Sequence, residues 1–397
     1  MNDYISGIRT GDLPLTKPCS RPLDQHPPRA GREWHELRKP LDKLITKKMV
    51  ESNINVFHKK ALKMCHMINK HAETGIEFVL RGYIVNYTIE VLCVTSFGCD
   101  INLNETDGIK LKEALESKEI KLCSLCNLEN REESVFHFIA VCPILREFRS
   151  IYFKKDCLNE LEFMDYLNGK CWKSLVNYCK AAWAYRYELL LQARLRNRTL
   201  LEGFDTSAVT LHYILFLLAM FPEHQEAVYQ EQIDIFGDSP EVEPTWEQLS
   251  KMEYLTRVLK EVMRIYCPIG IFRKPTNDID LGDYKLPKGS TLFIMFYSLH
   301  RDPRLWSHPN EFHPDHFLPE ECARRPKGSY LPFSWGPRSC PGSVYAMASL
   351  KIAVSTAIRR YKFETGVKFE ELEYKYGFLL EPKQEYLVRI TNRAPLP

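Results

Sequence analysis

Apolar positions from residue 34 to residue 97 recur at helical spacing. EWHELRKPLDKL is interrupted by Pro40, MVESNINVFHKKALKMCHMINKHA resumes the period, and NYTIEVLCVTSFG adds a third run, which predicts three packed helices. Residues 1 to 30 are rich in Pro, Gly and polar groups without a sustained period and read as irregular. A strongly apolar helix is expected from about Arg194. Its densest stretch, YILFLLAMF from Tyr213 to Phe221, is far shorter than the roughly 18 residues of a membrane span and predicts a buried helix. PEHQEAVYQEQIDIFGD opens on Pro222 and Glu223 and stops at Gly237, as a helix should. Two capping boxes follow, Thr245 to Gln248 and Ser250 to Glu253, the second opening KMEYLTRVLKEVMRIY, which Pro268 ends. LGDYKLPKGSTLFIMFYSLH alternates in the β manner around Pro287-Lys288-Gly289, and SVYAMASLKIAVSTAIRRYKF predicts a last helix. No internal repeat is visible. The pattern is mainly α with small β-sheets.

Composition narrows the picture. A chain of 397 residues, 45% hydrophobic and 26% charged, can bury a large core. A formal net charge of +3 gives no overall field for a membrane surface, and nucleic acid is not an expected partner. Thirteen cysteines is an odd count, and MNDYISGIRTGDLPLTKP at the start lacks the apolar core of a secretory signal. Reduced thiols facing the cytosol are expected, with neither a disulfide framework nor a transmembrane segment.

One cysteine stands in unusual company. In FSWGPRSCPG, residues 333 to 342, Cys340 is flanked by Gly336, Arg338 and Gly342 and followed by a helical pattern. A thiol at a helix N-terminus has its anion stabilised by unsatisfied N–H groups, and Pro341 suits a first helical position. Gly336 and Gly342 permit positive φ and close approach of a flat ligand, while Arg338 can neutralise a carboxylate at that ligand's edge. Haem meets these requirements. A buried cysteine beside a Gly/Pro turn is the plainer alternative for a lone Cys.

The string Phe333-x-x-Gly336-x-Arg338-x-Cys340-x-Gly342 resembles the haem-binding signature of the cytochrome P450 family. Three further stretches match in the family's order. Glu261-Val-Met-Arg264 resembles its E-x-x-R, although an i, i+3 pair taken alone is equally a surface ion pair worth ~0.3–0.5 kcal/mol. PNEFHPDHF, from Pro309 to Phe317, resembles the stretch whose arginine joins E-x-x-R in a hydrogen-bonded trio. This chain carries His316 there, a group with fewer donors and a titratable charge, which implies a weaker and pH-sensitive trio. Glu202-Gly203-Phe204-Asp205-Thr206-Ser207 resembles the oxygen-activating segment. The resemblance implies that Gly203 leaves space for dioxygen, Thr206 holds it by a hydrogen bond and Asp205 feeds protons toward it. The alternative is a Gly/Thr kink in a buried helix. Trp34-x-x-x-Arg38 resembles the early helix that meets one haem propionate, and Arg273 is a candidate for the other; a surface arginine is the alternative in both cases.

The resemblance covers roughly residues 31 to 117 and 194 to 397. It implies an incomplete haem-thiolate fold, starting beyond the family's membrane anchor and first sheet. The implied activity is insertion of one atom of O2 into a small apolar substrate, fatty-acid-like or xenobiotic. The implied electron donor is an NADPH-dependent reductase, at the cytosolic face of the endoplasmic reticulum or, without the anchor, in the cytosol. Residues 118 to 187 do not share the resemblance. Cys123, Cys126, His137 and Cys142 form C-x2-C-x10-H-x4-C, a set suited to tetrahedral zinc, with free thiols in a helical segment as the alternative. CSLCNLENREESVFHFIAVCPILREFRSIYF resembles the Cys/His tail of non-LTR retrotransposon reverse transcriptases. The expected organisation is therefore an N-terminal remnant at 1–117, an inserted zinc-knuckle and helical segment at 118–187, and a haem-binding core at 188–397. An inactive chimaera, with a knuckle contacting nucleic acid, is the competing function.

Overall fold

The computed structural model describes Arg38, Asp42, residues 45–97, 100, 146–159, isolated positions between 161 and 178, and residues 203–282, 284–376 and 379–393. Two compact units divide the chain: Met1–Leu44 with Gly270–Ile294, and Ile45–Ile269 with Met295–Pro397.

In the larger unit, Thr46 Oγ1 accepts from the Met49 N–H and starts α1 (Lys47–Ser52), and Asn53 separates it from α2 (Ile54–Thr74), which ends at Gly75 with φ +67°. After β1 (Phe78–Val79) come α3 (Arg81–Phe97) and α4 (Arg146–Phe153). The helix described over Gly203–Met220, α5, is long and apolar enough by composition to cross a membrane. It nevertheless runs through the core, with Leu211 and Ile214 to Leu218 fully buried, as expected of the apolar run. α6 (Pro222–Phe236) starts at its proline and stops at Gly237, φ +70°. α7 (Trp246–Lys251) has the expected capping box, Gln248 N–H to Thr245 Oγ1 at 3.2 Å and Thr245 N–H to Gln248 Oε1 at 2.9 Å.

The second expected capping box does not form. Ser250 donates instead to the Trp246 carbonyl, and Met252 is the N-cap of α8 (Glu253–Ile265). The first-turn N–H groups of Tyr254 and Leu255 are satisfied by the carboxylate of Glu231, reaching across from α6. A tertiary acceptor has replaced the local one.

The smaller unit holds β2 (Gly270–Arg273), β3 (Ile279–Asp280), β4 (Lys285–Leu286) and most of β5 (Leu292–Met295). β2 pairs with β5 and β3 with β4, and Gly289 in the expected turn takes φ +83°.

Back in the larger unit, α9 (Phe296–Leu299) and α10 (Pro319–Arg324) precede α11 (Ser343–Arg360). The last helix stops earlier than its sequence pattern predicts. From Tyr361 the burial alternates, with Tyr361 and Phe363 inside and Lys362 outside, and these residues form β6 (Tyr361–Glu364). β7 (Tyr374–Tyr376) pairs with β8 (Leu380–Pro382). β9 (Leu387–Asn392) lies between β1 and β6, with Phe78 opposite Val388 and Phe363 opposite Ile390. α2 packs on α3, α11 and β9, and Tyr361 Oη donates to the Cys65 carbonyl at 3.0 Å. Gln225, 1% exposed, bonds the Leu218 and Phe363 carbonyls and the Phe363 N–H, tying α5 and α6 to the sheet.

Among the described cysteines, Cys65, Cys93 and Cys267 are buried, and burial pushes the Cys65 thiol up to about 12 and Cys267 to about 11. The thiols of Cys65 and Cys267 therefore stay protonated.

On α5, His212 is 4% exposed and neither ring nitrogen has a partner among the described residues. Burial pulls its pKa from 6.5 to about 4. The folded protein therefore binds fewer protons than the unfolded chain, and stability is lost as pH falls from about 6.5 through about 4. His212→Leu should raise stability by roughly 1 kcal/mol at pH 7 and flatten the acid limb of a denaturant-unfolding series; an unchanged acid limb would count against the assignment.

Candidate active site

α8 places Glu261 and Arg264 on one face, and both side chains are 0% exposed, so this is no surface ion pair. Arg264 Nε donates to Glu261 Oε2 at 2.8 Å and Nη2 to Oε1 at 2.7 Å. The other guanidinium N–H groups reach the carbonyls of His300 (2.8 Å), Pro309 (2.7 Å) and Glu311 (2.8 Å). Every donor of the arginine fork is therefore satisfied, in a geometry that an ammonium does not reproduce.

Glu261 Oε1 also accepts from the His313 N–H at 2.8 Å. His316 Nδ1 lies 3.2 Å from both carboxylate oxygens. Because His316 Nε2 accepts from the His308 N–H at 3.3 Å, the ring proton sits on Nδ1 and is donated to Glu261. Burial pushes Glu261 up, but the hydrogen bonds from Arg264 and His316 outweigh it and hold the carboxyl below its ordinary range. Glu261, Arg264 and His316 are thus brought together as one buried cluster, despite histidine at the third position.

The cluster is wired to the cysteine loop through His300. Arg264 holds its carbonyl, and its Nε2 accepts from the Leu331 N–H at 2.8 Å. Burial pulls the His300 pKa down to about 3, which preserves that acceptor. Tyr330 Oη donates to the Lys260 carbonyl at 2.9 Å, a second tie from loop to helix.

Beyond Leu331 the chain makes a tight loop, closed by Cys340 N–H to Phe333 carbonyl at 2.8 Å. Ser334 at φ +62° and Gly336 at φ +80° supply the left-handed turns. No heavy atom lies within 4 Å of where a Gly336 Cβ would stand, so the demand there is conformational. Gly342 does not share it: its φ is −88°, it is the N-cap of α11, and an added Cβ would come 3.8 Å from Cys340 Sγ. The helix accordingly starts at Ser343 rather than at the expected Pro341. Cys340 is exposed, and burial lowers the pKa of Arg338 beside it. An exposed thiol on a clamped loop, open space over Gly336 and a neighbouring guanidinium fit haem.

Asp205 and Thr206 lie in the first turns of the described part of α5, where Thr210 Oγ1 donates to the Thr206 carbonyl at 2.8 Å. Gly203 has a packing role besides the one expected of it: a Cβ there would stand 3.3 Å from Leu92 Cδ1, so glycine lets α3 and α5 approach. Arg38 pairs with Asp42 at 2.5 Å, and Arg273 Nη1 bonds the Phe272 carbonyl at 2.9 Å, both in the smaller unit. Trp34, Glu202, Cys123, Cys126, His137 and Cys142 lie outside the described residues, and the described residues contain no metal-ligand cluster.

Residues 196–389 match the family model Cytochrome P450. That span is similar to the cytochrome P450 family. Longer alignments agree: the chain is 28% identical over 394 residues to cytochrome P450 4c3 of Drosophila melanogaster, covering 91% of this chain and 72% of that one. Cytochrome P450 4c21 of Blattella germanica is 28% identical over 383 residues, covering 89% and 74%. Identity rises to 41% over 175 residues with probable cytochrome P450 313a1 of Drosophila melanogaster, covering 43% and 36%. The fold is accordingly the helical P450 fold with its small sheets, and the chain is a P450-type monooxygenase by this kinship.

Sequence reasoning missed His300, Tyr330 and Glu231. Each bonds a backbone group distant in sequence, and nothing local marks it; His300 reads only as the polar end of an alternating run.

Arg264→Lys should retain the charge but leave buried carbonyls unsatisfied, lowering stability by about 3 kcal/mol. Urea unfolding checks this, and a loss within error of zero would contradict the network.

Proposed function

We propose that this chain is a haem-thiolate monooxygenase acting on apolar, fatty-acid-like small molecules, with Cys340 as the iron ligand. The observation that carries the reading is the clamped loop that holds the Cys340 main chain on the Phe333 carbonyl and leaves the residue exposed. Haem, when bound, supplies reductive activation of O2 and insertion of one oxygen atom into a C–H bond, and thiolate ligation favours that chemistry. The protein's own residues do the rest. Phe333 anchors the loop against the core, and Arg338 offers a cation to a haem carboxylate, as Arg38 and Arg273 would, while Trp34 would offer its indole N–H. On α5, Thr206 would offer a hydroxyl that can donate a hydrogen bond, and Asp205 a carboxyl that can hold and pass a proton. The apolar substrate class is supported by the kinship with the family 4 enzymes. The proposed electron donor is an NADPH-dependent reductase and the proposed site of action the cytosolic face of the endoplasmic reticulum; the kinship with family 4 enzymes supports this reading.

The stretch from 118 to 187 has its own proposal. The spacing of Cys123, Cys126, His137 and Cys142 supports one tetrahedral zinc ion in a segment acquired from a reverse-transcriptase tail.

Cys340→Ala should abolish the thiolate-type ferrous-CO difference spectrum of the purified protein, and retention of that spectrum would remove Cys340 from its role. Metal analysis of protein prepared without chelator should find one zinc per chain, lost in Cys123→Ser and on acidification as thiolates protonate; zinc-free natural protein would sink the second proposal.

A further inference from the structure

Arg325 lies just beyond α10 and makes no ion pair among the described residues. Its Nη2 donates to the His316 carbonyl at 2.6 Å. Its guanidinium stands 4.2 Å from the centroid of the Trp306 ring and 5.5 Å from that of Phe317. The same indole carries Arg264 at 5.2 Å, and His316 meets it edge-on at 5.4 Å. Trp306 is 1% exposed and donates its Nε1–H to the Leu299 carbonyl at 3.2 Å, so the platform beneath both arginines is fixed.

We propose that Arg325 is a positioning residue for the buried carboxylate cluster: by clamping the His316 main chain and stacking on Trp306, it holds the His316 imidazole on Glu261. The need for such a clamp follows from the geometry of the histidine. An arginine at position 316 would bring charge and several donors to Glu261 directly, whereas the imidazole offers one N–H, shared between two oxygens at 3.2 Å. A single long hydrogen bond confines a ring poorly. Here the ring is confined by the His308 N–H on Nε2 and by the Trp306 and His313 rings, and Arg325 holds the residue's main chain through its carbonyl. The arginine therefore acts through His316 rather than on the carboxylate. Its charge is felt there all the same. Burial lowers the Arg325 pKa, and Cys322, Glu321 and Glu261 oppose that shift. A guanidinium that merely covered an exposed indole would make the stack without the carbonyl bond. The proposal concerns the cluster alone and holds with or without haem.

The test is a cycle of four full-length proteins: natural, Arg325→Ala, His316→Arg and the double variant. It is read by denaturant unfolding and, for the two that keep His316, by the 15N signal of its Nδ1–H. Arg325→Ala should lower the folding equilibrium constant by about tenfold or more in the natural background, and by about threefold or less beside His316→Arg, because the introduced guanidinium reaches Glu261 unaided. The His316 Nδ1–H signal should shift or exchange away in Arg325→Ala. If that variant does not fold, recovery of folding in the double variant supports the role, and failure of both overturns it. Equal losses in the two backgrounds, or an unmoved His316 signal, also overturn it.

Discussion

The buried pair of Glu261 and Arg264 is the constraint on which the rest of this structure depends. Two opposite charges removed from water lose several kcal/mol of hydration each, on the order that only a complete set of partners offsets. Here the set is complete on the arginine side, and the partners come from separate stretches of chain: His300 at the end of α9, Pro309 and Glu311 in the loop beyond it. The carboxylate gathers the His313 main chain and the His316 ring. A loop whose own backbone bonds close only short turns is thereby tied at three carbonyls to one side-chain fork.

That fixation passes to the cysteine. His300, held through its carbonyl, holds Leu331 through its ring, and the Phe333 to Cys340 turn begins two residues later. The turn then hands the chain to α11, which packs into the centre of the larger unit against α2. A thiol that must meet a rigid planar ligand gains from being braced on both sides. Charge on one side and apolar packing on the other supply the bracing by different physics, so neither depends on the other's dielectric surroundings.

Histidine at position 316 shows how such a cluster tolerates a change of chemistry. The carboxylate remains held below its ordinary range with an imidazole in the third place, because both arms of Arg264 and the His316 ring donate to it. What the imidazole lacks in donors is met by confinement, through Trp306 and the groups stacked on it.

The sequence alone determined the local features: the proline start and glycine stop of α6, the capping box of α7, the left-handed turn at Gly289, and the Gly-rich loop before Cys340. Each is decided within a few residues, by a missing N–H, a short side-chain reach or an allowed φ, and so is written where it acts. The i, i+3 spacing of Glu261 and Arg264 was legible too, but their burial was not, because spacing cannot say which helical face meets another segment. Tertiary structure decided that burial, the replacement of Ser250 by Glu231 as the acceptor for α8, the passage from helix to strand at Tyr361, and the bond from His300 to Leu331. In each case the deciding partner lies about twenty or more residues away, where loop closure brings groups together only once the core has formed.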